Sequence, residues 1–232
     1  MQLVLLVMAL GLEQFNGYIF DLDGVVVDTR PYHLLAWQRL ATELGVEIDQ
    51  NSNEILRRLN RMEGIEKIME WGGHYASEAE KMFWADRKNN WYIELIAQMS
   101  PHEVLPGVLD FLKLLKEKNR SVALVSSSSN ARKVLLSTQL SPYFQSVIDG
   151  TIAKKRKPAP DCFLMAAQEL QLSPDQCLVF EDAPAGVLAA KRGGFATVAV
   201  GMHRDICQAD YAIDGFNSID SIFDLATNLI QI

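Results

Sequence analysis

Four short segments of this sequence place acidic, hydroxyl or lysine side chains after an apolar stretch. They are FDLDGVVVDT (20–29), VSSSSN (125–130), KPAPD (157–161) and FEDAPAG (180–186). Taken singly, each has an ordinary explanation, because Asp-x-Asp pairs and serine runs are common in turns and caps and lysine-rich loops are commonly solvated. Ligands of an open parallel sheet bind beyond the carboxyl ends of its strands. Four such segments in succession therefore favour one shared site.

The residue types in these segments predict metal-assisted phosphoryl transfer. Two carboxylates about 4 Å apart repel each other by roughly 4 kcal/mol at an effective dielectric constant of 20, so a cluster of them requires a cation. Oxygen ligands without Cys or His select a hard ion, and Mg2+ fits best. One carboxylate can then attack phosphorus while a second moves protons. A lysine can balance the charge, and hydroxyl and amide groups can hold phosphate oxygens.

The elements that must position these side chains alternate between short apolar strands and helices. Such alternation predicts an α/β fold with a parallel sheet covered on both faces. The predicted strands are 18–20, 121–125, 146–148, 177–180 and 197–200. The predicted helices are 108–118, 130–140, 161–170 and 185–192, with a last one at 218–229.

Residues 30–102 interrupt this alternation with helical patterns alone. Apolar residues recur at helical spacing from Trp37 to Leu44 and from Ile55 to Met69. A third helix is expected to open at Ser77, because Glu80 completes a capping box with it. We therefore expect an apolar N-terminal extension at 1–14, an α/β core at 15–29 and 103–232, and a helical cap at 30–102.

Composition narrows the range of partners. The 232 residues include 22 basic and 29 acidic side chains, for a net charge of −7, which argues against a nucleic-acid-binding protein. The three cysteines and four histidines lack metal-ligand spacing. The apolar run at 3–10 is too short to span a bilayer; an extra segment, a misassigned start or, less favoured, a secretion signal would explain it. We expect a cytoplasmic monomer that binds no membrane.

The four segments, in this order, resemble the four motifs of the haloacid dehalogenase (HAD) superfamily. The helical insert is similar to the small cap of that superfamily, and the resemblance runs from about residue 15 to 230. It implies a Rossmann-like parallel-sheet core with an inserted helical cap. It also implies Asp21 as nucleophile, Asp23 as general acid/base, Ser126 as phosphate ligand and Lys157 as counter-charge to the phosphoaspartate. Mg2+ would be held by Asp21, the main-chain carbonyl of Asp23, Glu181 and Asp182.

Within that superfamily, Asp28-Thr29 and Tyr32-His33 with Trp37 resemble the hinge and first cap helix of the β-phosphoglucomutases, and Arg87-Lys88-Asn89 resembles their cap contact to the substrate. Those enzymes convert β-glucose 1-phosphate to glucose 6-phosphate. Two positions depart from their pattern. Arg58 replaces a glycine, which adds bulk and charge where backbone would approach the sugar, and Ser129 replaces a lysine that contacts phosphate. The similarity implies substrate contacts from His33, Arg57, Arg61, Lys88, Asn89, Ser128 and Asn130.

Several alternatives stay open at this point. A HAD-type phosphatase would hydrolyse a sugar phosphate or another small phosphate ester with the same motifs. A non-catalytic protein that senses a phosphorylated ligand is a further alternative. In the cap, Arg57, Arg58 and Arg61 are also explained as a solvated helix face, with Glu54 paired to Arg58.

Overall fold

The computed structural model describes residues 14–57, 59–153, 155–201, 208–217 and 222–224. They form two compact units. The helical unit is Thr29–Gln98, and the α/β unit contains the described residues up to Asp28 and from Met99 onward. The predicted extension at 1–14 and Arg58 lie outside the described residues, apart from position 14.

The α/β unit is built on one sheet. Its strand order is β3-β2-β1-β4-β5-β6-β7, and every neighbouring pair is parallel except β6 and β7. The predicted α/β fold with a parallel sheet is therefore confirmed. In the described part of the chain the strands are β1 (Gly17–Asp21), β2 (Ser121–Val125), β3 (Ser146–Ile148), β4 (Cys177–Glu181), β5 (Ala196–Val200), β6 (Tyr211–Ile213) and β7 (Ile222–Asp224).

Strand β1 is buried along its whole length because helices cover both faces of the sheet. Side chains alternate between the faces of a strand. Ile19 accordingly lies in one core cluster with Phe163 and Ala190, whereas Phe20 faces Phe111 on the other side, with ring centroids 6.0 Å apart. Each fully buried side chain of this size contributes roughly 1.5–3 kcal/mol. This burial fixes the strand whose carboxyl end carries Asp21.

Four α-helices accompany the sheet in the described part of this unit. The predicted helix at 218–229 is wrong for its three described residues, which form β7, and its other residues lie outside the described part. The four helices are α5 (Val108–Glu117), α6 (Ala131–Ser137), α7 (Asp161–Glu169) and α8 (Pro184–Arg192).

In the helical unit the described residues form α1 (Arg30–Glu43), α2 (Gln50–Leu56), α3 (Arg61–Trp71) and α4 (Glu78–Ile96). The capping box expected at Ser77 and Glu80 is present. A second capping box, formed by Asn60 and Glu63, starts α3 and breaks the apolar run from 55 to 69 into two helices. Helix α4 packs against both α1 and α3.

The insert leaves and rejoins the α/β unit at adjacent points. Val27 and Val104 form an antiparallel bridge, and the Leu105 amide donates to the Val26 carbonyl at 2.9 Å. Among the described residues, none of the helices combines the length and the apolar character needed to cross a bilayer.

Candidate active site

The carboxyl ends of β1 and β4 bring three carboxylates together. Phe20 pairs with Phe180 in the sheet register, so Asp21 and Glu181, each the last residue of its strand, end side by side. Asp182 follows directly. Ligand oxygens of Asp21, Glu181 and Asp182 all lie within 4.8 Å of one another. Glu181 is 1% exposed and Asp21 is 8% exposed, which leaves little water to screen their repulsion.

Lys157 supplies a positive charge to this cluster. Its Nζ donates to Asp21 Oδ1 at 2.5 Å and also to Glu181 Oε1. Burial lowers the pKa of Lys157, but the charges of Asp21 and Glu181 outweigh burial and hold that pKa well above its ordinary value. The lysine therefore stays charged and ties the two strand ends together.

The cluster fits a divalent cation. Three carboxylates and one ammonium carry a formal charge of −2, counting Asp21, Glu181, Asp182 and Lys157. Burial, opposed by the charge of Lys157 and reinforced by that of Asp21, raises the pKa of Glu181 to about 7. One lysine is thus insufficient to hold the pKa of Glu181 in its ordinary range. An all-oxygen donor set of this charge suits a hard ion such as Mg2+.

Two glycines allow these carboxylates to approach so closely. Gly24 has φ +79°, and a Cβ there would lie 2.0 Å from Asp182 Oδ2. A Cβ at Gly186, in α8, would lie 2.0 Å from Glu181 Oε1. Any side chain at either position would displace a carboxylate. The sequence-based prediction missed both residues, although each lies in a recognised segment: Gly24 directly follows Asp23, and Gly186 is five residues after Glu181.

Asp23 lies in the tight loop that follows β1. The Gly24 amide donates to the Val27 carbonyl at 2.8 Å, and the Val26 amide donates to the Leu22 carbonyl at 2.9 Å. Asp23 itself forms a bridge with Val27 and is half-buried. The structure therefore places Asp23 two residues beyond Asp21 on a hydrogen-bonded loop. Its role as acid/base stays a prediction.

The serine segment forms a hydrogen-bonded turn after β2. The Ser128 amide donates to Ser126 Oγ at 3.1 Å, and the Asn130 amide donates to Ser128 Oγ at 3.2 Å. Ser126 and Asn130 are buried, whereas Ser129 is exposed. Because Asp21 pairs with Val125 in the register, Ser126 follows the strand position next to the carboxylate cluster. Phosphate binding by these residues stays a prediction.

The helical unit brings three other predicted residues together. Lys88 Nζ lies 3.0 Å from His33 Nδ1, and the His33 ring stacks on Tyr92 with centroids 3.9 Å apart. Burial, followed by the charges of Lys88 and Arg61, lowers the pKa of His33 to about 3. Burial, followed by the charge of Arg61, lowers the pKa of Lys88 to about 7. The unit therefore holds three basic groups close enough to repel one another.

The remaining predicted cap residues occupy different surroundings. Arg57 is exposed and forms a 2.7 Å ion pair with Glu54, as a solvated helix face would. Arg61 is half-buried at the start of α3, and burial lowers its pKa. Asn89 is half-buried on α4, next to Lys88. Their contacts with substrate stay predictions.

Comparison with known proteins agrees with this arrangement. A family model for haloacid dehalogenase-like hydrolases matches residues 15–194. The chain is 40% identical to the β-phosphoglucomutase of Bacillus subtilis (strain 168), over 85% of this chain and 88% of that protein. It is 31% identical to a fructose-1-phosphate phosphatase of Escherichia coli (strain K12), over 81% of this chain and 97% of that protein.

A solved structure extends the match to the fold. The crystal structure of β-phosphoglucomutase from Clostridium difficile superposes with a TM-score of 0.78 at 36% identity, covering 94% of this chain and 96% of that chain. The ordered segments, the carboxylate cluster at the strand ends and these similarities lead to one assignment. The chain belongs to the haloacid dehalogenase-like hydrolase family.

Proposed function

We propose that this protein is a Mg2+-dependent phosphotransferase that acts on a small sugar phosphate through an aspartyl-phosphate at Asp21. One observation carries the proposal: Asp21 ends a buried central strand within a cluster of carboxylates and one lysine. The 40% identity to a β-phosphoglucomutase supports interconversion of β-glucose 1-phosphate and glucose 6-phosphate as the reaction.

In this proposal each side chain performs a step suited to its position. An oxygen of Asp21 attacks phosphorus and becomes the acyl phosphate, while Asp23 gives a proton to the departing oxygen of the sugar. Asp23 takes a proton back from the next acceptor when the phosphoryl group moves on. Lys157 balances the charge beside Asp21, and the Ser126 hydroxyl holds a phosphate oxygen.

The cation would be held by the side chains of Asp21, Glu181 and Asp182 and by the main-chain carbonyl of Asp23. When bound, Mg2+ neutralises negative charge on the transferring phosphoryl group. The donor set supports this choice, since it consists of oxygens and carries the formal charge that a divalent ion would cancel.

Phosphate-ester hydrolysis is the second candidate. The fructose-1-phosphate phosphatase that is 31% identical to this chain favours it. In that case water takes the phosphoryl group from Asp21. The mutase requires instead that the sugar monophosphate, and not water, accept the phosphoryl group. The basic side chains of Arg61 and Lys88 support a substrate with a second anionic group, as a bisphosphate intermediate has.

Product analysis separates the two candidates. The protein would be supplied with Mg2+, β-glucose 1-phosphate and a catalytic amount of glucose 1,6-bisphosphate, and both glucose 6-phosphate and inorganic phosphate would be measured. Glucose 6-phosphate in excess over phosphate supports the mutase. Phosphate release without glucose 6-phosphate would reject it in favour of the phosphatase.

The nucleophile assignment has its own test. Asp21→Asn removes the attacking oxygen but keeps the side-chain shape, so turnover should fall to background while Mg2+-dependent ligand binding, measured by calorimetry, survives. Asp110→Asn is the matched control, because Asp110 is 76% exposed on α5 and turnover should not change. Turnover that survived in Asp21→Asn would show that Asp21 is not the nucleophile, and lack of turnover in the wild type would favour the ligand sensor.

A further inference from the structure

Among the described residues, Lys88 is a buried side chain that has no acidic partner. The residue is 3% exposed. Among the residues that the structure describes, no carboxylate forms an ion pair with it, and the nearby charge that acts on it is the positive charge of Arg61. A buried charge is costly unless something compensates it. The compensation must therefore come from neutral groups.

Two aromatic rings and one imidazole surround this ammonium. Lys88 Nζ lies 4.2 Å from the centroid of the Trp37 ring and 5.4 Å from that of Tyr92. On another side it lies 3.0 Å from His33 Nδ1. Cations are attracted to the face of an aromatic ring, most strongly to that of tryptophan, and more so when water is excluded. The indole of Trp37 is the nearer of the two rings.

The indole is fixed in this position by α3. A Cβ at Gly64 would lie 2.6 Å from Trp37 Cη2 and 2.8 Å from Cζ2. Real Cβ contacts of that length do not occur, so the ring occupies space that only glycine leaves free. Trp37 is 7% exposed. The position of the buried indole therefore depends on the absence of a side chain at Gly64.

We propose that Trp37, seated against Gly64, is a positioning residue that holds the Lys88 ammonium against His33 and so sets the tautomer of that histidine. The charged ammonium of Lys88 has only donors, so in that state His33 Nδ1, 3.0 Å away, accepts from it and the proton of the neutral imidazole lies on Nε2. Trp37 thus makes His33 a hydrogen-bond donor at Nε2. The inference rests on the proposed function in one respect: Lys88 and His33 are its proposed substrate contacts.

Other charged groups near this cluster do not reproduce the effect. Arg61 faces Lys88 and His33 from α3, and its charge opposes protonation of both. Asp86, on α4, acts on Arg61. Arginine stays charged throughout the working pH range. The ring of Trp37 is therefore the group whose removal should change Lys88 selectively.

The test is nuclear magnetic resonance of the full-length protein without substrate, with 13C-labelled lysine and 15N-labelled histidine. Trp37→Leu should raise the ratio of neutral to charged Lys88 roughly tenfold near pH 7, as expected for loss of a desolvated cation–π contact. The 15N signals of His33 should change from one tautomer to a mixture. Trp37→Phe, which retains an aromatic face, should restore most of both signals.

The chain offers a matched control and a second route. Trp71→Leu removes an indole 6.0 Å from the half-exposed Lys67 in the same unit, and should leave Lys88 and His33 unchanged. Gly64→Ala keeps the indole but forces it to move, so the same two signals should shift in the same direction. This variant remains informative if Trp37→Leu does not fold.

An unchanged Lys88 titration and an unchanged His33 tautomer in Trp37→Leu, or in Gly64→Ala if only that variant folds, would overturn the inference. The two signals are measured without turnover. The inference can therefore fail while the proposed function stands, and the proposed function can fail while the inference stands. If both hold, KM for β-glucose 1-phosphate should rise in Trp37→Leu and recover in Trp37→Phe. A variant that is merely destabilised would not show this pattern, in which Trp37→Phe recovers both the KM and the His33 tautomer of the wild type.

Discussion

Replacement of Lys157 by methionine should destabilise the protein strongly in the absence of Mg2+. The side chain of Lys157 is 10% exposed, and it contacts both Asp21 and the 1%-exposed side chain of Glu181. Methionine keeps the length and removes the charge. Asp21, Glu181 and Asp182 would then face one another within 4.8 Å without a counter-charge.

The size of the loss follows from these contacts. Each charge pair at about 4 Å is worth roughly 4 kcal/mol at an effective dielectric constant of 20, and removal of one partner from a buried ion pair typically costs about 3–5 kcal/mol. Protonation of Glu181 reduces this loss of stability, because the pKa of Glu181 is already raised to about 7, chiefly by burial. We therefore expect the free energy of unfolding to fall by about 3–4 kcal/mol at pH 7.5.

Urea denaturation followed by tryptophan fluorescence, with EDTA and then with Mg2+, measures this loss. Mg2+ supplies another counter-charge and should bind the more negative cluster of Lys157→Met more tightly, so by linkage it should stabilise this variant more than the wild type. Lys155→Met is the control from the same loop: Lys155 is 72% exposed, and its 3.1 Å pair with Asp161 should contribute less than about 1 kcal/mol. Equal losses for the two variants, or no effect of Mg2+, would refute this reasoning.

Two further variants test other parts of the structure. Gly186→Ala should weaken Mg2+ binding at least about tenfold in calorimetry, because Glu181 must move away from a Cβ that would lie 2.0 Å from its Oε1. The alanine itself favours the helix by about 1 kcal/mol. Unchanged affinity for Mg2+ would show that Glu181 is not a ligand. Lys88→Met should raise the free energy of unfolding at pH 6–7 by a few kcal/mol. Burial lowers the pKa of Lys88 to about 7, so in the wild type the unfolded chain binds more protons than the folded protein and stability rises with pH between that value and the ordinary lysine value. The variant should lack this rise in urea titrations from pH 6 to 10, and an unaltered slope would contradict the lowered pKa of Lys88.

The parts of the fold that sequence predicts well are those that local pattern determines. Strands β1 to β5 are apolar runs between helical patterns, and their predicted limits lie within one residue of the observed ones. Strand β6, Tyr211–Ile213, escapes prediction because it shows no recognisable alternation. At β7, helical spacing of apolar residues is overruled by antiparallel pairing with β6.

The candidate site divides in the same way. Asp21 and Glu181 are recognisable because each follows an apolar strand, and parallel pairing then brings them together. Lys157 lies 136 residues from Asp21 in the sequence, so family resemblance and not local pattern identifies it. The helical spacing of the apolar residues from Trp37 to Leu44 predicts that Trp37 is buried in its unit. It does not predict that Lys88 is buried next to it.

The bridge between Val27 and Val104 has a consequence for how such a protein can vary. Because the two ends of the insert leave the sheet side by side, the distance between them is set by the α/β unit and not by the insert's own length. A longer, shorter or differently folded insert could join at the same two points without strain on β1. Changes within the helical unit would therefore leave the strand that carries Asp21 in place.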